Sequence, residues 1–217
     1  NDPGSCGAIL SPSDVGTPTS SDNCSIILVE NDNPTLTFVN GINILTWSVT
    51  DNASNTTTVT QTIRINDSED PVLTIPADIV SNNCNINIGL ASATDNCGAL
   101  APSNNAPATF GLGITPVLWT VSDAAGNTVT STQLITVSDT IAPSNTAPDD
   151  IIVDTDLNQC TASGIGLGVP ISDDNCTVAS VTNNAPAIFP IGTTTVTWEV
   201  TDSASNTTLS YQTVTVN

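Results

Sequence analysis

At 217 residues the chain could hold one large domain or several small ones, and its 21 carboxylates face a single cationic side chain, Arg64, for a formal net charge of −20. Phosphate recognition needs lysine and arginine, so nucleic-acid binding is excluded and anionic membrane surfaces are disfavoured. Histidine and methionine are absent and helix formers are scarce, while β-branched residues abound, which predicts an all-β protein.

Along the chain, the first landmarks are Cys6 and then Asp22-Asn23-Cys24. Period-two alternation at Leu45, Trp47 and Val49 predicts a strand, a turn follows, and Ile63 and Ile65 mark a second strand. The acids Asp67, Glu69 and Asp70 read as a linker. The same series then recurs: Cys84, Asp95-Asn96-Cys97, an alternating Val117, Trp119 and Val121, and Ile135 with Val137. After Asp139 comes a segment with Pro143, Pro148 and Ile151-Ile152-Val153, read as an opening strand. Cys160, Asp174-Asn175-Cys176, Val196, Trp198, Val200, Val214 and Val216 complete a third series. Each Trp opens the string Trp-x-x-x-Asp-x-Ala-[Ser/Gly]-Asn, at 47–55, 119–127 and 198–206, and Gln61, Gln133 and Gln212 follow at a fixed distance.

This periodicity divides the chain into repeats at 1–66, 67–138 and 139–217, the first lacking the opening strand. About 75 residues with several short strands predict a small Ig-like or fibronectin-III-like β-sandwich per repeat, with the Trp in its core. Only 10% of residues are charged and the apolar pattern is regular, so a folded chain is expected rather than a disordered one. No apolar run approaches a membrane span, so direct membrane insertion is not expected. Because the segment begins within a repeat, any signal or anchor is expected outside it.

Two cysteines per repeat, without histidine or close Cys pairs, point to disulfides rather than zinc. Pairing within each repeat, Cys6–Cys24, Cys84–Cys97 and Cys160–Cys176, is expected because each small core needs its own staple. That pairing conflicts with a straight strand running pole to pole between the two cysteines: either the chain doubles back near 164–168 or the strand assignment differs. Disulfides place the segment in an oxidising setting, extracellular or at a cell surface.

The acids fall at fixed places: linker Asp67, Glu69, Asp70 and Asp139; Asp22, Asp95, Asp173 and Asp174 at the Asp-Asn-Cys motif; turn Asp51, Asp123 and Asp202. On a seven-stranded sandwich these positions converge at one pole, and such a set of hard oxygens suits calcium. The competing reading is that Asp51, Asp123 and Asp202 cap a tight turn through backbone amides. No Ser-His-Asp or Cys-His set can be assembled, and paired carboxylates lack the aromatic platforms of a glycosidase, so no enzyme is expected. Thr140 and Ser203 sit in Asp-Thr-Ile and Asp-Ser-Ala triplets that resemble a bacterial O-glycosylation signal, against unmodified turn hydroxyls.

The strings Asp-Asn-Cys, Phe189-Pro190-Ile191-Gly192-Thr193-Thr194-Thr195-Val196-Thr197-Trp198 and Val200-Thr201-Asp202-Ser203-Ala204-Ser205-Asn206 closely resemble the hyalin repeat, or HYR domain. The second and third repeats match throughout; in the first, Phe38-Val39-Asn40-Gly41 replaces Phe-Pro-Ile-Gly. The resemblance implies an Ig-like fold and extracellular adhesion. Acidic arrays of this kind look like those of SprB-type surface adhesins of gliding Bacteroidetes, exported by type IX secretion. The expected function is an extended adhesive stalk or filament that contacts neighbouring repeats and a surface, polysaccharide or protein ligand. The alternative is a module binding glycans or proteins through loops at one pole.

Overall fold

The computed structural model describes residues 1–217 and contains strands joined by turns, with one short helix. The elements in chain order are β1 (Gly7–Ile9), α1 (Pro12–Val15), β2 (Ile26–Asn31), β3 (Thr37–Val39), β4 (Gly41–Asp51) and β5 (Thr56–Ile65). Then come β6 (Val72–Thr74), β7 (Ile79–Ser81), β8 (Ser92–Asp95), β9 (Gly98–Ala99), β10 (Ser103–Asn104), β11 (Gly113–Ser122) and β12 (Thr128–Val137). The last series is β13 (Ser144–Thr146), β14 (Ile151–Val153), β15 (Thr161–Ser163), β16 (Ile171–Asp173), β17 (Val178–Asn183), β18 (Ile188–Pro190), β19 (Gly192–Asp202) and β20 (Thr207–Val216).

The fold is a set of tandem β-sandwiches, and the chain forms two compact units. The first comprises Asn1–Ile75, Leu90–Asn104 and Leu118–Thr132; the second comprises Pro76–Gly89, Asn105–Val117 and Gln133–Asn217. The middle repeat thus contributes to both.

In the first unit, β4 is central to a sheet ordered β2-β4-β5, and β1 pairs with β3. Alternation along β4 and β5 turns Leu45, Trp47, Ile63 and Ile65 inward, where they pack with Ala8, Val15, Leu36 and Phe38. The opposite faces are rich in threonine, so each strand has one face for the core and one for water. β6, β8 and β9 form a further sheet of this unit.

In the second unit the sheet order is β14-β20-β19-β17, with β13-β16 and β15-β18 as smaller pairs. Val196, Trp198, Val214 and Val216 pack with Ala162 and Phe189, all at most 5% exposed. The opening strand β14 lies parallel to β20, with Ile151 opposite Val214. β7 pairs in the same parallel sense with β12, Ile79 opposite Ile135.

The recurring glutamine holds these pieces together. Gln212 Oε1 accepts the Trp198 indole N–H at 3.2 Å, and its amide donates to the carbonyls of Asp149 at 2.8 Å and Leu167 at 3.0 Å. In the first unit Gln61 accepts from Trp47 at 3.0 Å and donates to Val15. A buried indole and the loop carbonyls before β14 and β16 are satisfied by one side chain, as burial demands.

Candidate functional site: crosslinked repeat ends and their carboxylates

In the first and third repeats the two cysteines sit at opposite ends of the long strand. Cys160 precedes β15, and its carbonyl accepts the amide of Ile191, next to the first residue of β19. Cys176 lies beside the last residue of β19, where Ser203 donates to Thr177. The first repeat repeats the arrangement: the Cys6 carbonyl accepts from Asn40 before β4, and the Ser25 carbonyl accepts from Asn52 just after it. Eleven residues of strand separate the two ends, roughly 35 Å at about 3.3 Å per residue. A disulfide tolerates only about 4.4–6.8 Å between Cα atoms.

The expected pairing within repeats is therefore wrong. Cys6 is bonded to Cys97, with Cα atoms 4.6 Å apart, and Cys84 to Cys176 at 4.9 Å. Cys24 and Cys160, expected to pair with Cys6 and Cys176, are free and exposed. Each bond joins the leading cysteine of one repeat to the Asp-Asn-Cys cysteine of the next. The separations carried this signal: 18, 13 and 16 positions within repeats, but 91 and 92 across them.

The motif's other residues serve the same joint. The aspartate folds back to accept its cysteine's amide: Asp22 from Cys24 at 2.8 Å, Asp95 from Cys97 at 2.8 Å and Asp174 from Cys176 at 2.9 Å. The asparagine reaches across. Asn96 donates to the Ser5 carbonyl at 3.0 Å, and Asn175 donates to the Asn82 carbonyl and to Asp139 Oδ1.

The turn acids satisfy the amides of their own hairpins. Asp202 Oδ1 accepts the amides of Ala204 and Asn206 at 2.8 Å each, and Oδ2 accepts the Asn206 side-chain amide at 2.7 Å. Asp51 does the same with Ala53 and Asn55, and Asp123 with Gly126 and Asn127. The Asn55 side chain and backbone hold the Asp51 carboxyl below the usual carboxylate value. For Asp123 and Asp202, burial pushes upward, but hydrogen bonds from Asn127 and Asn206 outweigh it and the result is again lowered. The fourth turn position has positive φ in each hairpin: 68° at Ser54, 99° at Gly126 and 72° at Ser205.

Two acid groups form. Asp139, Asp174 and Asp202 each place a carboxylate oxygen within 4.8 Å of the others, and Asp67, Asp95 and Cys97 form a similar group. In the second, the Cys97 sulfur is held in a disulfide, which leaves two carboxylates. Asp139 is only 7% exposed, and its Oδ2, Asp174 Oδ1 and Asn175 Oδ1 are buried without a partner. Asp67 Oδ2 and Asn96 Oδ1 are likewise buried and unpartnered. The grouped carboxylates of Asp139, Asp174 and Asp202, with Arg64 the chain's only cationic side chain, are hard oxygen donors of the kind that suit a cation. Asp22 and Asp51 share a shallow cleft but belong to neither group. Glu69 instead accepts the Gly4 amide at 2.7 Å, and Asp70, Asp123 and Asp173 also stand outside both groups. Thr140 and Ser203 are exposed.

The chain is 31% identical to hyalin of the sea urchin Strongylocentrotus purpuratus across 92% of its own length, and 31% identical to hyalin of Lytechinus variegatus across 87%. These likenesses, which run over most of the chain, support hyalin-repeat-like domains. The chain spans 18% and 39% of the lengths of those two relatives. No family model matches the chain. Among solved structures it is similar to protocadherin gammaB7 EC3-6, at 14% identity over 89% of this chain and 66% of that one, with a TM-score of 0.31. Drosophila N-cadherin EC1-4 is similar at 11% identity over 87% of this chain and 63% of that one, with a TM-score of 0.30. The hyalin likeness and the two disulfides place the chain outside the cell or at its surface. No helix is long and apolar enough to cross a membrane.

Proposed function

We propose that the chain is a non-catalytic segment of a large surface adhesin, with repeats bounded at 1–66, 67–138 and 139–217 strung into an extended acidic stalk. The observation that carries this reading is the crosslink pattern: each disulfide ties the end of one repeat to the start of the next. A staple of that kind resists separation of neighbours under tension, which a bond within a repeat would not do. The hyalin-repeat resemblance favours the same role, and a SprB-type gliding adhesin exported by type IX secretion is the setting that it suggests.

Calcium is the cofactor of this proposal. Asp139, Asp174 and Asp202 would hold it with Asn175 Oδ1, and Asp67 and Asp95 would form a weaker site with Asn96 Oδ1. A bound divalent cation would offset the repulsion of carboxylates gathered at each joint and stiffen it. Glycan binding by pole loops is less favoured, because every Trp and Phe is buried and Tyr211, the one exposed aromatic, lies within β20. Sugar recognition would have to proceed without an aromatic platform on any loop.

The test is thermal unfolding of the intact, oxidised chain with calcium and with a chelator. Calcium at about one hundred times its dissociation constant stabilises the native state by roughly 2.7 kcal/mol, so a clear rise in Tm is expected. The Asp139→Asn variant should lose most of that rise. Superimposable curves for the parent chain with and without the ion would contradict the calcium assignment.

A further inference from the structure

The carboxylates of the Asp139 group lie on two sides of the Cys84–Cys176 crosslink. On one side, Ser138 donates to the Ser81 carbonyl at 2.9 Å, so Asp139 comes immediately after a residue anchored to the end of β7. Cys84 lies three positions beyond that same end. On the other side, Asp174 and Cys176 belong to the loop between β16 and β17, and Asp202 ends β19 in register with Val178 of β17. All of these residues belong to the second compact unit.

One tripeptide serves both the crosslink and the acid group. Cys176 is bonded to Cys84, their Cα atoms 4.9 Å apart. Asp174 Oδ2 accepts the amides of Cys176 at 2.9 Å and Thr177 at 3.0 Å, while its Oδ1 is buried without a partner. Asn175 donates to the Asn82 carbonyl, two positions before Cys84, and to Asp139 Oδ1 at 3.0 Å, so it spans the same gap. Asp139 and Asp202 are 7% and 2% exposed, and Asp139 Oδ2 is buried and unpartnered. Carboxylate oxygens of all three acids lie within 4.8 Å of one another. Their repulsion pushes the two sides apart, and the crosslink opposes it before any ion arrives.

We infer that the crosslink and the cation site form one redox-sensitive unit: calcium binds more tightly while Cys84–Cys176 is intact, and bound calcium holds that bond oxidised. The inference rests on the reading of Asp139, Asp174 and Asp202 as a calcium site. Two bridges over one gap act in parallel, because whichever forms first raises the effective concentration of the other's ends. The coupling is reciprocal. The factor by which crosslinking lowers the calcium Kd equals the factor by which saturating calcium raises the equilibrium constant for the crosslink.

The bond is open to exchange, since a cavity of about 720 Å³ adjoins it, lined in part by Cys84, Phe110, Leu112, Cys176 and Ser203. A glutathione thiolate attacks one of the two sulfurs, forming a mixed disulfide and releasing the other cysteine as a thiolate. A second glutathione thiolate attacks the glutathione sulfur of that mixed disulfide, releasing glutathione disulfide and the remaining protein thiolate. The protein thiolates take up the two protons that the glutathione thiols gave up. One protein disulfide is reduced to two thiols, and two glutathione thiols are oxidised to one disulfide.

The test is calcium titration calorimetry on the full oxidised chain, the Asp139 event being the one that the Asp139→Asn variant loses. The double variant Cys84→Ser with Cys176→Ser should bind there about tenfold more weakly. Removing the other crosslink, with Cys6→Ser and Cys97→Ser, should leave that affinity within about twofold. A second measurement needs no variant. In glutathione buffers the parent chain should stay half crosslinked at Cys84–Cys176 up to a ratio of squared thiol to disulfide about tenfold higher with saturating calcium than with a chelator. Alkylation and mass spectrometry read that fraction, and this titration decides alone if a double variant does not fold. Equal affinity with and without Cys84–Cys176, equal weakening in both double variants, or a redox midpoint that calcium does not move would overturn the inference and leave the calcium assignment standing. An oxidised parent chain that binds no calcium would overturn both.

Discussion

The amide of Gln212 accepts from the Trp198 indole and donates to two loop carbonyls, in a site that is itself fully buried. Replacing it by leucine conserves most of the volume but strands an indole N–H and two carbonyls. Each buried polar group left without a partner costs about 1–3 kcal/mol, so Gln212→Leu should destabilise the chain by about 2–4 kcal/mol in urea unfolding. A change indistinguishable from zero would show that water or a shifted loop replaces the amide. The sequence displays this glutamine at a fixed distance after each turn, yet gives no sign of its partners, because those carbonyls come from loops 45 and 63 positions away. The motif asparagine is similarly opaque: Asn175 binds Asn82, a contact 93 positions away in the chain.

At the level of the hairpin, the alternation of Val196, Trp198 and Val200 against threonine was sufficient to locate β19, and that of Val214 and Val216 to locate β20. The turn acids could be read either as metal ligands or as caps. The structure gives every one of them a capping role, and Asp202 also stands in an acid group. A pH dependence follows for Asp51. Bonds from Asn55 and the Ala53 amide hold its carboxyl below the ordinary 3.8, so the unfolded chain binds its proton more readily than the native one. Stability from this source is present above that value and is lost as pH falls through the lowered native one. Asp51→Asn should therefore lower the urea midpoint at neutral pH, and the gap from the parent should close in acid well below 3.8. A gap that does not change with pH would remove the carboxylate's charge from the account. Pairing of the cysteines was not legible in the same way. Sequence spacing brought Cys160 within 16 positions of Cys176, but β19 holds them at opposite ends of a sandwich.

Across the whole molecule, the all-β class, the repeats and the absence of a cationic surface follow from composition and period. The crosslinks do not, since they depend on which end of each sandwich meets its neighbour. The incompatibility between a disulfide within a repeat and a straight strand pointed to the answer, and the near-constant separations of 91 and 92 contain it. The account stands on this crosslink rule, from which the tension-bearing joints derive. Its most direct test is a disulfide map of the oxidised monomer, by mass spectrometry of a non-reduced digest with free thiols blocked. The account predicts Cys6 joined to Cys97, Cys84 joined to Cys176, and alkylated Cys24 and Cys160. Peptides pairing Cys6 with Cys24, Cys84 with Cys97 and Cys160 with Cys176 would contradict it.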